Sequence, residues 1–300
     1  MRIRSRGAVA AALAGGIAMA AVASGGEATY VGSYTWTNGS DRFGGLSGLE
    51  ISADGSHLTA VGDRSILVTA EITRSNGRIV SVAGTAISTL ESPYGYQGAG
   101  DSEGLAVLDG QNHVSFEGPS RVWIHDGQGA FVGERSRSPD FRTLQHNSGL
   151  EALAVDGKGR MLTLPERSGE LTRPFPVWRQ EGDRWTQPYE IPRRGGFLAV
   201  GADVGPDGRF YLLEREFTGF AFRSRVRRFD MTEDALTGET ELLRSSVFQH
   251  DNLEGLAVWR DDKGEIRLTM ISDDNFNALQ KTQLVEYRVP ETLDFQDKRP

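Results

Sequence analysis

The sequence predicts an all-β fold, a single β-propeller of five blades. A phrase of one shape recurs five times: a short apolar strand opening on Ser or Glu, a tight turn, and a second strand running into an acidic residue. The copies are LSGLEISADGSHLTAVGDR (Leu46 to Arg64), SEGLAVLDGQNHVSFEG (Ser102 to Gly118), LEALAVDGKGRMLTLPER (Leu150 to Arg167), VGADVGPDGRFYLLER (Val200 to Arg215) and LEGLAVWRDDKGEIRLTMISDD (Leu253 to Asp274). Anchored on Ser47, Glu103, Glu151, Val200 and Glu254, they recur at intervals of 56, 48, 49 and 54 residues, the size of a four-stranded blade and not of a helical repeat. Helical patterning is nearly absent, whereas short β-rich runs bounded by Asp/Gly turns (Ala53 to Ser56, Asp156 to Gly159, Pro206 to Gly208) recur throughout.

The elements follow in order. The first unit carries four strand candidates, Leu49 to Ser52, Leu58 to Gly62, Ile66 to Ile72 and Ile79 to Ile87. Val122 to His125 and Val177 to Arg179 read as third strands of the second and third units. The fifth unit shows three strands, ending at Leu284 to Val289. Its fourth is expected from Thr29 to Trp36, so that the two chain ends close one blade together. An irregular sixth blade is the alternative count.

Residues 1–23 carry Arg2, Arg4 and Arg6, an Ala/Gly-rich apolar run, and Ala21 and Ala23 in small, any, small order. This reads as a secretory signal peptide, with residues 24–300 as one domain in a periplasmic or secreted protein. The apolar run is roughly 17 residues against the roughly 20 a membrane span needs, so an uncleaved anchor is the weaker alternative, and a soluble monomer is expected. Removing the three Arg takes the formal net charge from −8 to −11, which disfavours nucleic acid and suits metal ions. The chain has no Cys, so disulfides and thiol chemistry are excluded.

Strand direction places the charges. The start of an innermost strand and the end of the next lie at one rim of the channel. At the starts stand Ser47, Glu103, Glu151 and Glu254; at the ends stand Asp63, Glu117, Glu166, Glu214 and Asp273. Converging carboxylates repel and take up protons unless a cation neutralises them. A hard divalent ion with oxygen ligands, Ca2+, is the economical solution. Arg64, Arg167 and Arg215 follow end-of-strand acids and can either pair with a neighbouring blade or meet phosphate in the funnel. Arg121 and Arg225 are expected near the same face. His146 and His250 occupy matching places in two repeats. Bland uses exist for each: strand-opening Glu can bond backbone N–H groups, Glu–Arg steps can be interblade ion pairs, and the His can be loop hydrogen-bonders. Trp123, Trp178, Trp185 and Trp259 are expected to pack between strands.

The phrases GGLSGLEIS, EGLAV, SGLEALAV, GADVGPDGRFYLLER, SRVRRF, DNLEGLAVW and SDDNFN resemble those of the bacterial family known for the esterase-like activity of phytase, from about Gly44 to Tyr287. That resemblance implies calcium-linked hydrolysis of phosphate or other esters. A more distant similarity, to calcium-activated nucleotidases of the apyrase type, implies an axial ion held by Ser47, Glu103, Glu151 and Glu254. The fourth blade departs from this pattern, with Val200 or Gly201 at the anchor, and would offer a carbonyl, a water or Asp203 instead.

No P-loop, dinucleotide fingerprint or HExxH motif is present, and the GxSxG string at Gly100 to Gly104 opens a strand phrase with no helical pattern after it, so it is not a nucleophile elbow. The expected activity is therefore metal-assisted hydrolysis of a small-molecule phosphate ester, with Glu117, Glu166 or Asp273 accepting a proton and Arg64, Arg167 and Arg215 binding substrate. The alternatives are a non-catalytic propeller whose calcium is structural and whose face binds a protein or glycan, and a lactonase-like or esterase-like propeller.

Overall fold

The computed structural model describes residues 28–96, 98–145 and 148–290. The signal-peptide reading of residues 1–23 and the proposed place of His146 lie outside the described residues. The chain forms five four-stranded antiparallel sheets. Thr29–Thr35 is β1; blade 1 is β2 (Leu46–Ile51), β3 (His57–Gly62), β4 (Ile66–Ser75) and β5 (Arg78–Thr89). Blade 2 is β6 (Ser102–Leu108), β7 (Gln111–Phe116), β8 (Arg121–His125) and β9 (Phe131–Glu134). Blade 3 is β10 (Leu150–Val155), β11 (Met161–Pro165), β12 (Phe175–Glu181) and β13 (Arg184–Ile191). Blade 4 is β14 (Leu198–Val204), β15 (Phe210–Phe217), β16 (Phe222–Met231) and β17 (Leu236–Arg244), and β18 (Asn252–Arg260), β19 (Ile266–Asp273) and β20 (Gln283–Val289) belong to blade 5.

The expected closure is present. β1 pairs antiparallel with β20, Thr29 opposite Arg288 and Thr35 opposite Gln283, and completes blade 5. The inner strands touch in the cyclic order β2, β6, β10, β14, β18 and back to β2, so there are five blades and no sixth. Among the described residues the helical element is a 3-10 turn, Pro139–Thr143, and no helix is long and apolar enough to cross a membrane.

Side-chain alternation buries one apolar seam between each pair of neighbouring blades. Leu46, Leu58, Val68, Trp259 and Ile271 form the seam of blades 5 and 1, and Tyr211, Leu213, Leu256, Leu268 and Tyr287 that of blades 4 and 5. Each such side chain contributes roughly 1.5–3 kcal/mol on burial. At the axis the strands approach too closely for side chains. A Cβ on Gly48, Gly104, Gly201 or Gly255 would lie 2.8, 2.8, 2.5 or 2.8 Å from the carbonyl oxygen of Glu103, Glu151, Glu254 or Ser47, which explains the glycine after four of the five strand-opening residues; blade 3 has Ala152 there.

The two rims differ. One carries tight turns such as Asp156 to Arg160, where Asp156 Oδ1 accepts the N–H groups of Lys158 and Arg160, both at 2.9 Å. Turn chemistry accounts for that aspartate, as expected. The other rim carries the longer connections, among them 36–45, 166–174 and 274–282, and faces the strand-opening acids.

Candidate metal centre

The ladder explains how the opening residues reach the axis. In all five inner strands the pairing register slips at the same place: between Leu46 and Gly48, Ser102 and Leu105, Leu150 and Ala152, Ala199 and Gly201, and Leu253 and Gly255. The skipped residues include Ser47, Glu103, Glu151, Val200 and Glu254. A bulge leaves a residue outside the ladder and re-aims its side chain. The repeat thus presents one side chain per blade at the rim end of the axis, and blade 4 presents valine. Between the inner strands the cavity is about 10 Å³, room for one water at most, so ligands must arrive from the rim.

Carboxylate oxygens of Glu103, Glu117 and Glu151 all lie within 4.8 Å of one another. Glu117 also accepts the N–H of Gly149 at 3.1 Å. Burial raises the Glu103 carboxyl well above its ordinary range, reinforced by Glu254, Glu117, Asp63 and Asp101. Burial likewise raises Glu151, with Glu103, a hydrogen bond to Glu117, and Glu166 adding to it. The spacing fits a calcium ion: two oxygens at the usual ~2.3–2.6 Å from Ca2+ can stand up to ~5 Å apart. Three converging carboxylates, two of them held in the neutral form by burial and by their neighbours' charge, are the donor set a hard divalent cation satisfies.

Glu254 is differently placed. Its Oε1 accepts from Arg215 Nη1 and, at 2.8 Å, from Asn252 Nδ2. Arg215 Nη1 also donates to Asn252 Oδ1 at 2.8 Å, and its Nη2 to Glu166 Oε1 at 3.3 Å. One guanidinium in blade 4 therefore ties blade 3 to blade 5, across the position where the fourth acid is missing. Burial opposes the charge on Arg215, but Glu254, Glu166 and Glu151 outweigh it and hold the group firmly protonated. Glu166 is fully engaged: its Oε2 accepts Ser148 Oγ and Arg167 Nε, each at 2.9 Å.

On the other side Ser47 Oγ donates to Asp63 Oδ1 at 3.3 Å. Burial, with Glu254 and Asp101, pushes Asp63 up to about 6. Burial, with Glu254, Asp63 and Asp274, pushes Asp273 up to about 8. Asp273 Oδ1 accepts the N–H of Asn275 at 2.6 Å, while its Oδ2 receives a long contact from Asn252 at 3.4 Å. Arg64 lies over the Phe276 ring, 3.5 Å from its centroid. Arg167 is half-exposed and borders a cleft of about 500 Å³ shared with Thr143, Ser168, Trp178 and Gln187. A larger cleft, about 700 Å³, lies at the opposite rim, where Arg74 and Arg267 are tied to Glu286.

Several expected rim residues lie elsewhere. Glu214 is sealed from solvent between Arg225, at 2.8 and 2.9 Å, and Arg227, at 2.7 Å. Arg121 is buried and donates to the carbonyls of Glu117 at 3.0 Å and Pro119 at 2.7 Å. Asp203 does not stand in for the missing acid: it accepts the N–H groups of Val204 and Val258 at the far end of β14, where burial and its charge raise Glu50. Asp203 stands three residues beyond Val200 in regular register with β15, and at ~3.3 Å per residue that moves it about 10 Å down the channel. His250 is buried against the Tyr287 hydroxyl at 2.8 Å, and burial pushes it down to about 4, so it is neutral and structural. Trp123, Trp178 and Trp259 are buried in the seams. Asn252 and Ser148, which orient Glu254 and Glu166, went unnoticed in the sequence. Their signal was a polar residue shortly before the strand-opening Glu in the QHNSGLE and QHDNLEG loops.

No curated protein matches the chain. Among solved structures, the catalytic domain of the Coprinopsis cinerea α-L-arabinofuranosidase superposes with a TM-score of 0.56 at 10% identity, covering 88% of this chain and 97% of that one. The Bacteroides thetaiotaomicron endo-arabinase gives 0.49 at 11% identity, covering 80% and 93%. The PQQ-bound aldose sugar dehydrogenase of Streptomyces coelicolor gives 0.46 at 11% identity, covering 86% and 98%. The first likeness is one of fold. Over residues 41–276 the sequence matches the phytase-like family, described by the esterase-like activity of phytase, and the chain belongs to that family.

Proposed function

We propose that the protein is an exported, calcium-binding propeller that hydrolyses small phosphate esters at the rim bearing the bulged acids. The observation that carries this reading is the mutual approach of Glu103, Glu117 and Glu151 within 4.8 Å, beside arginines at the same rim. These three residues would hold the cation, with the Ser47 hydroxyl nearby. A bound divalent ion supplies Lewis acidity and neutralises charge there.

The chain's own groups do the rest. Arg167, with one side-chain bond and half its surface free, meets phosphoryl oxygens through charge-assisted hydrogen bonds. The cleft beside it receives the alcohol portion. Water attacks phosphorus and the ester P–O bond breaks; the water's proton passes to the lightly bonded Oδ2 of Asp273, a step that requires this carboxyl, raised to about 8, to be ionised, and that proton is handed to the departing alkoxide so that phosphate and the free alcohol leave. Glu117 moves from proton acceptor to cation ligand in this scheme, and Glu166, with both oxygens occupied, becomes a positioning residue for Arg167 and Arg215.

A second reading has its own observation. Arg215, expected to bind substrate, is spent on Glu166 and Glu254, as in a propeller whose charges and calcium are structural and whose face binds a partner. The test is a panel of phytate, nucleotides, aryl phosphates and lactones, with Ca2+ and with chelator. Calcium-dependent release of phosphate, abolished in Glu103→Gln and Asp273→Asn, supports the hydrolase. Folded, calcium-loaded protein inert on the whole panel sinks it and leaves the second reading.

A further inference from the structure

The loop 192–197 joins β13 to β14 at the rim that bears the acids. It carries two adjacent arginines with opposite situations. Arg194 is exposed and paired with Glu239 at 3.1 and 2.8 Å. Among the described residues Arg193 has no carboxylate or carbonyl hydrogen-bond partner. Its guanidinium stacks over the Phe175 ring, 4.7 Å from the centroid, and its Nε and Nη2 are sealed from solvent with no acceptor. Buried donors are almost always satisfied, and an uncompensated buried charge is destabilising.

Its surroundings sharpen the point. Burial lowers the Arg193 pKa; Glu214 and Glu166 counter this, while Arg167 and Arg225 lower it further. Glu214 is already saturated by Arg225 and Arg227, and Glu166 by Ser148, Arg167 and Arg215. Arg167 and Arg193 are thus two cations within electrostatic reach of each other, each with unused donors. Both stand on the blade 3 and blade 4 side, where the ring of acids is interrupted by Val200. The strand-opening acids come from blades 5, 2 and 3, and the gap in their ring falls at blade 4, beside these two guanidinium groups.

We infer that Arg193, together with Arg167, forms a subsite for a tetrahedral oxyanion, the phosphate group of a substrate or of the released product. This deepens the hydrolase reading and rests on it for the biological role, but binding itself does not require turnover. Arg193 supplies the charge that the anion neutralises, and Phe175 fixes the plane of its guanidinium. A phosphate between the two arginines removes their repulsion and meets Arg193 at Nη1, the guanidinium nitrogen that is not among the sealed ones.

The test uses the full chain, in Ca2+ and in EGTA, with inorganic phosphate titrated calorimetrically below the calcium phosphate solubility limit. A parallel titration uses a non-hydrolysable phosphonate ester, so that binding of both probes marks a substrate site and binding of phosphate alone a product site. Arg193→Gln should weaken phosphate about tenfold or more, Arg167→Gln likewise, and Arg194→Gln should not. Without phosphate, Arg193→Gln should melt no lower than wild type, whereas an arginine with a purely structural role would lose stability when removed. Absence of phosphate binding by wild type in both buffers overturns the subsite. So does an Arg193→Gln protein that binds as wild type, or one that melts several degrees lower in phosphate-free buffer. Phosphate binding that depends on Arg193 in a protein without turnover sinks the hydrolase and leaves the subsite standing. Turnover with phosphate binding indifferent to Arg193 does the reverse.

Discussion

Arg215→Ala tests whether the rim arginine is a strut or a substrate contact. Arg215 is one-fifth exposed and bonds two carboxylates that are 7% and 11% exposed, Glu166 in blade 3 and Glu254 in blade 5. Deleting one partner of a buried pair costs about 3–5 kcal/mol, because the other charge is left uncompensated. Residual exposure puts this site near ~3 kcal/mol. A domain of this size shifts by ~2–4 °C per kcal/mol, so the expected drop is ~6–12 °C by differential scanning calorimetry. Arg215→Lys keeps the charge but not the fork and should recover part of the loss. Because the pair is largely buried, raising salt should shrink the difference little. Activity per folded molecule should persist. A melting point within ~2 °C of wild type would refute the strut, and lost turnover at unchanged stability would return Arg215 to the substrate.

Calcium should raise the melting point of chelated protein. Ligand binding to the native state contributes about 2.7 kcal/mol at a hundredfold excess over Kd, and Glu103→Gln and Glu151→Gln should lose most of that gain; wild-type melts indifferent to Ca2+ would remove the metal centre. In EGTA the protein should become less stable as pH rises from about 5 to 8. Asp63 titrates at about 6 and Asp273 at about 8 in the folded state, above their unfolded values, so the native state binds more protons and stability is lost as pH passes through the folded values; a flat melting profile over that window contradicts the assigned environments. Gly201→Ala places a Cβ 2.5 Å from the Glu254 carbonyl oxygen and should destabilise by about 1–3 kcal/mol in urea unfolding, whereas Gly208→Ala, where nothing lies within 4 Å, should show only the smaller strain of its left-handed backbone.

By itself the sequence determined the architecture. Strand alternation, Asp/Gly turns and the opening phrase are local, and five copies of them dictate five blades; Thr29 to Trp36 had nowhere to pair except the open edge of the last. The same repeat put Glu103, Glu151 and Glu254 on equivalent strand positions, because hydrogen-bond register is a property of neighbouring residues. Which charges meet was decided by the tertiary structure. Glu117 joined Glu103 and Glu151, although the repeat ranks it with Asp63 and Glu166. Arg215 reached across two blades to Glu166 and Glu254, filling the place that Val200 left without a carboxylate. Glu214 vanished between Arg225 and Arg227, and Arg193, unremarkable in the string IPRRGG, came to rest without a hydrogen-bond partner among the described residues. Each of these outcomes depends on the spacing between blades and on side chains several bonds long, and Coulomb interactions at these distances depend on ångström-scale placement. A periodic code fixes the ring, and the closed ring selects the pairs.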